Sequence, residues 1–206
     1  MINAVTKTVK RARNGSVRGS GPTLLGVYLN DHLAGASAGA QLVRRMTRAH
    51  HGRAFEPQLA ELTEEVREDL RSLRRFMDVL GVRRLRSRTA AGWLAERLGR
   101  LKFNGRVLSR SPLSDVLELE AMRLAVEAKA DCWRSLRGLA RADARLDPDR
   151  LDKLIQRARR QSQSLEAMRT TAATHVLSAD VRADAAETRP AVVGTAGGGT
   201  AGAPRS

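Results

Sequence analysis

The sequence predicts an all-α protein, one four-helix bundle with a single long crossover that carries a short helix of its own. Three observations predict it. Four long segments repeat apolar residues at steps of three and four; the connections between them run short, long, short; and the 42% apolar content is drawn from Leu, Ala, Val and Met, with aromatics at only 3% of 206 residues. Leu, Ala and Met are strong helix formers, so composition and periodicity agree.

The first segment places Leu25, Leu29, Leu33, Ala36, Ala40, Val43 and Thr47 on one face. The second aligns Leu59, Leu62, Val66, Leu70, Leu73, Met77 and Leu80, with Pro57 in the first turn and Gly81 as the stop. The third opens at Ser111 to Ser114, where Ser114 can cap, and Val116, Leu119, Met122, Val126, Ala130, Trp133 and Ala140 form the stripe. The fourth opens at Asp147 with Pro148 in its first position, then shows Leu151, Leu154, Ala158, Leu165, Ala172 and Val176. Short loops join the first pair and the last pair, which makes antiparallel neighbours, whereas the long run from Val82 to Pro112 can carry the chain along the bundle. Ala90, Leu94, Leu98 and Leu101 give that run an amphipathic helix. The bundle is expected over 23–178. Residues 1–22, basic and without apolar pattern, and 179–206, ending in a Gly/Ala-rich run, are expected to be disordered tails.

Several function classes lose their chemistry at once. The lone cysteine, Cys132, has no intramolecular disulfide partner, and the four histidines lack zinc spacing, so a reducing cytoplasm is the expected location. No apolar run reaches the ~18 residues that a membrane span needs. The Gly197 to Gly199 run lies in the tail, outside the strand-to-helix setting in which glycines cradle phosphate.

The net charge of +15 is unevenly spread. Residues 1–22 carry Lys7, Lys10, Arg11, Arg13 and Arg18 and no acid. The connector carries Arg83, Arg84, Arg86, Arg88, Arg106 and Arg110 among nine basic groups, against Glu96 alone. These two stretches are where a polyanion such as nucleic acid would be held. Against that, no nucleic-acid motif appears and no aromatics interleave the arginines, and Arg outnumbers Lys 32 to 5, as a GC-rich gene would give.

The runs YLNDHLAGASAGAQLVRR (28–45), LAELTEEVREDLRSLRRFMDVLG (59–81) and LELEAMRLAVEAKADCWRSL (117–136) resemble a bacterial branch of the ferritin-like superfamily with degenerate di-metal motifs. The resemblance covers some 150 residues and implies a ferritin-like bundle. Active members hold two metal ions with a Glu from each of two helices and a Glu-x-x-His pair from each of the others. This sequence departs from that set. The first helix has only Asp31 and His32, Glu68 is followed by Arg71, and Glu166 is followed by Arg169, whose guanidinium cannot bind a cation.

The expectation is therefore a ferritin-like protein with no catalytic residues and no cofactor, in which Arg169 forms an internal charge network with Asp69, Glu120 and Glu127. The competing reading is an altered iron or manganese site drawn from His32, Asp69, Glu120, Glu127 and Glu166. A homo-oligomer through the outer helix faces is the third expectation, since members of the superfamily often assemble.

Overall fold

The protein was analysed as a computed structural model that describes residues 23–85 and 112–187. Those residues form four helices: α1 (Leu24–Ala49), α2 (Glu56–Val79), α3 (Pro112–Leu139) and α4 (Pro148–Glu187). Among the described residues there is no strand, and no helix is long and apolar enough to cross a membrane. Residues 1–22 and 188–206 and the amphipathic stretch around Leu94 lie outside them.

Each helix is bounded by local chemistry. Thr23 caps α1, its Oγ1 accepting from the Gly26 amide at 3.0 Å. Gly81, at φ 68°, ends α2: its own amide reaches Asp78 O at 3.1 Å and that of Val82 reaches Met77 O at 2.8 Å, so two otherwise orphaned carbonyls are satisfied. Asp147 caps α4, accepting from the amides of Asp149 and Arg150 at 3.0 and 3.2 Å, with Pro148 directly inside. One cap and one boundary differ from expectation. α3 starts at Pro112, which leaves Ser114 inside the helix rather than capping it. α4 continues past 178 to Glu187, because that stretch contains no Gly or Pro and is rich in alanine.

Cross-helix contacts fix the directions. Thr47 near the end of α1 meets Thr63 near the start of α2, while Asn30 at the start of α1 meets the chain just after α2. α1 and α3 also run oppositely, since Tyr28 Oη donates to Ser135 Oγ at 2.9 Å and His50 lies 3.4 Å from Asp115. α3 and α4 pair through Arg137–Asp152 at one end and Arg123–Glu166 towards the other. α2 and α4 are antiparallel too, with Ser72 facing Arg150 and Glu65 facing Gln161. The order is thus up, down, down, up; α2 ends and α3 begins at opposite ends of the bundle.

The apolar stripes meet along the axis. Leu29, Val43, Leu59, Met77, Leu119, Val126, Trp133, Leu151 and Leu165 are all buried. Gly39 and Ala40 of α1 are buried, and Gly39 lies next to Ala125 and Met122 of α3. Trp133 packs against Phe76 with ring centroids 6.0 Å apart, yet its Nε1–H is buried with no hydrogen-bond partner.

Candidate functional site

Buried polar groups gather midway along α2, α3 and α4; Asn30 and His50 are buried separately, near the two ends of α1. Asp69 of α2, with 1% side-chain exposure, accepts from Lys129 Nζ of α3 at 2.6 Å. It also accepts from Arg157 Nη1 and Gln161 Nε2 of α4, each at 3.2 Å. Gln161, itself buried, accepts from Lys129 and donates to Glu65 at 2.9 Å, and Arg157 continues to Glu68 at 2.9 Å. Burial pushes the Lys129 ammonium below its ordinary pKa, with Asp69 and Glu65 opposing the shift. The cluster satisfies its own donors and acceptors, as a charged interior must.

The sequence singles out Asp69 but none of its three partners, Lys129, Arg157 and Gln161. Arg169, expected to be its partner, lies instead on the α3–α4 seam with a quarter of its side chain exposed. There its Nε and Nη2 clasp Glu166 at 3.0 and 2.7 Å, and its Nη1 is 3.8 Å from Glu120. The reason is register: Arg169 lies two turns beyond Gln161 and on the α3 side, where its long stem reaches water. Glu127 is not in that network either; it accepts from Ser162 Oγ at 2.7 Å. Arg123 adds a second cation to Glu166 at 3.3 Å, and the Arg169 clasp, ahead of the surrounding charges, holds this carboxyl down to about 2.

The metal-ligand candidates do not converge. His32 stands near the start of α1 beside the end of α3, edge-on to Tyr28 with centroids 4.5 Å apart. Partial burial lowers its pKa, with Asp31 and Asp131 pulling the other way. Asp69 is in the interior, while Glu120 and Glu166 are on the seam with Arg169. Among the described residues no group of three or more His, Cys, Asp or Glu side chains is placed to hold a metal ion. The donors present do not fit a di-metal centre, because an ammonium sits 2.6 Å from the one carboxylate that reaches the middle of the bundle.

Of the expected polyanion contacts, Lys7, Lys10, Arg11, Arg86, Arg88, Arg106 and Arg110 lie outside the described residues. Arg83 and Arg84 are described: Arg83 O accepts from Asn30 Nδ2 at 3.0 Å, and Arg84 pairs with Asp78 at 3.0 Å. No family model, curated protein or solved structure matches the chain.

Proposed function

We propose that this chain is a non-catalytic ferritin-like bundle, an interaction or scaffold protein in which a charge cluster stands where metal-dependent members hold their ions. The observation that carries the reading is the Lys129–Asp69 pair with Gln161 and Arg157 packed around it. A cation supplied by the protein already neutralises the interior carboxylate, and the remaining oxygens are occupied by donors. The up-down-down-up helix order supports the ferritin-like part. A connector joining opposite bundle ends between α2 and α3 is the single-crossover arrangement of that fold.

Elemental analysis of protein purified without added metal tests the proposal. Iron, manganese and zinc well below one equivalent per chain are expected. A stoichiometric transition metal that is lost in His32→Ala or Glu120→Ala would overturn it. Size-exclusion chromatography with light scattering tests the accompanying proposal that the chain assembles with itself, and a monomer at all concentrations would refute that part.

A further inference from the structure

Charge on the bundle surface is polarised along its axis. The first half of α2 carries Glu56, Glu61, Glu64, Glu65 and Glu68, and its second half Arg71, Arg74 and Arg75. On α4, Arg150, Lys153, Arg157 and Arg160 recur at steps of three and four; Arg150 and Lys153 lie level with the basic half of α2, while Arg157 and Arg160 lie level with Glu68 and Glu65. Cross-helix contacts place the α4 row on the α2 edge. Arg150 reaches Ser72 Oγ at 3.5 Å and lies over the Phe76 ring at 5.7 Å, while Arg157 bonds Glu68 and Asp69.

The acids of this end are largely committed. Asp78 is held by Arg84, Asp143 by Arg145, Asp152 by Arg137 and Glu68 by Arg157. Arg71, Arg75, Lys153 and Arg160 are exposed and make no ion pair among the described residues; of the acids beside the row, Asp147, Asp149 and Glu65 likewise make none there, Asp147 being taken up by backbone amides and Glu65 by Gln161. The exposed cations on these two rods outnumber the acids beside them, so the surface carries a net positive charge that favours an external anion. From Arg150 to Arg160 the row runs about 15 Å along the helix. Over that length a nucleic-acid duplex presents about nine phosphate charges.

We infer that the α2–α4 groove, from the α3–α4 turn to the middle of the bundle, binds the phosphodiester backbone of double-stranded DNA through Arg71, Arg75, Lys153 and Arg160. A duplex fits better than a single strand, because the groove exposes no aromatic ring on which bases could stack: Phe76 is buried beneath Arg150. It fits better than a membrane surface, because the groove's cations are not interleaved with large exposed apolar side chains; Val79 stands at its end only. Contacts of this kind position the duplex and read no sequence.

The test is fluorescence anisotropy of a short labelled DNA duplex of arbitrary sequence, titrated with the full-length chain at several salt concentrations. The comparison is with the quadruple variant Arg71→Gln, Arg75→Gln, Lys153→Gln and Arg160→Gln. A second quadruple variant, Arg44→Gln, Arg48→Gln, Arg53→Gln and Arg182→Gln, removes the same charge from exposed positions elsewhere. If all four groove cations meet phosphates, the groove variant loses about 3 to 4 from the slope of log affinity against log salt. That part of the wild-type slope corresponds to a roughly 150-fold fall in affinity between about 50 and 200 mM salt. The control variant should stay close to wild type, and unchanged helical circular dichroism shows that both variants fold. Equal losses in the two variants would reduce the effect to net charge and overturn the inference. So would duplex binding that survives the groove substitutions, or anionic phosphatidylserine vesicles being bound where the duplex is not.

Discussion

Replacing Asp69 by leucine is the sharpest test of the interior cluster. The carboxylate accepts from Lys129 at 2.6 Å and from Arg157 and Gln161 at 3.2 Å, and the change removes all three bonds at once. A hydrogen bond to a charged group contributes about 1.5–3 kcal/mol, but the three losses do not simply add. Arg157 keeps Glu68 at 2.9 Å and Gln161 keeps Glu65 at 2.9 Å, so the stranded group is Lys129, a buried ammonium left with an amide oxygen. Cutting a buried pair on one side costs about 3–5 kcal/mol. The lower part of that range applies here, and for a chain of this size it lowers Tm by roughly 6 to 12 °C. The double variant Asp69→Leu with Lys129→Met removes both charges and should return to within about 1 kcal/mol of wild type, because apolar side chains of similar volume replace a buried pair at little net cost. Urea unfolding of the four proteins, followed by circular dichroism and tryptophan fluorescence, gives the coupling energy directly. A cost below about 1 kcal/mol for Asp69→Leu, or a double variant as destabilised as the sum of the singles, would refute the account of the cluster as a mutually compensating unit.

Asn30 ties the chain after α2 back to α1, donating to Gly26 O at 2.7 Å and Arg83 O at 3.0 Å and accepting from the Leu85 amide at 2.7 Å. Asn30→Ala should cost about 1–3 kcal/mol and speed tryptic cleavage at Arg83 and Arg84; an unchanged digestion pattern would count against the tie. Glu166, held at about 2 by the Arg169 clasp against an ordinary 4.5, contributes stability that is complete above pH 4.5 and lost as pH falls through about 2. In Arg169→Gln its carboxyl, followed by carbon NMR, should titrate closer to 4.5, with the contribution fading at correspondingly higher pH. Burial pushes the Cys132 thiol up to about 12. At pH 8 only about one part in ten thousand is then thiolate, so iodoacetamide should label the native protein far more slowly than the urea-unfolded chain.

Much of the fold was legible because helices are written locally. The stripe positions from Leu29 to Ala172 that became the core recur every three or four residues, and Pro148 and Gly81 mark a start and a stop by backbone chemistry alone. The interior cluster was legible only in part. Asp69 stood out between the apolar residues Leu62 and Phe76 of α2, but Lys129 is flanked by Glu127 and Asp131 and looks like solvated surface. Gln161 left one usable signal: the α4 stripe jumps seven residues from Ala158 to Leu165, and a helix cannot skip a turn of its buried face without some residue filling it. Arg169 was misread because its position on the wheel looked interior, while its long stem delivers the guanidinium to the seam.

The sequence by itself determined where the four helices lie, which stripe of each is buried, and that no membrane-length apolar run or disulfide pair is present in it. Tertiary structure alone decided which cation meets Asp69, and that Arg150 of α4 lies over Phe76 of α2. The physical reason is that periodicity fixes a residue's angle about its own helix axis, whereas ion pairs depend on the axial register between helices. That register is set by how the apolar stripes interdigitate, and a slip of one turn, about 5.4 Å, would exchange every charged partner while leaving each stripe intact.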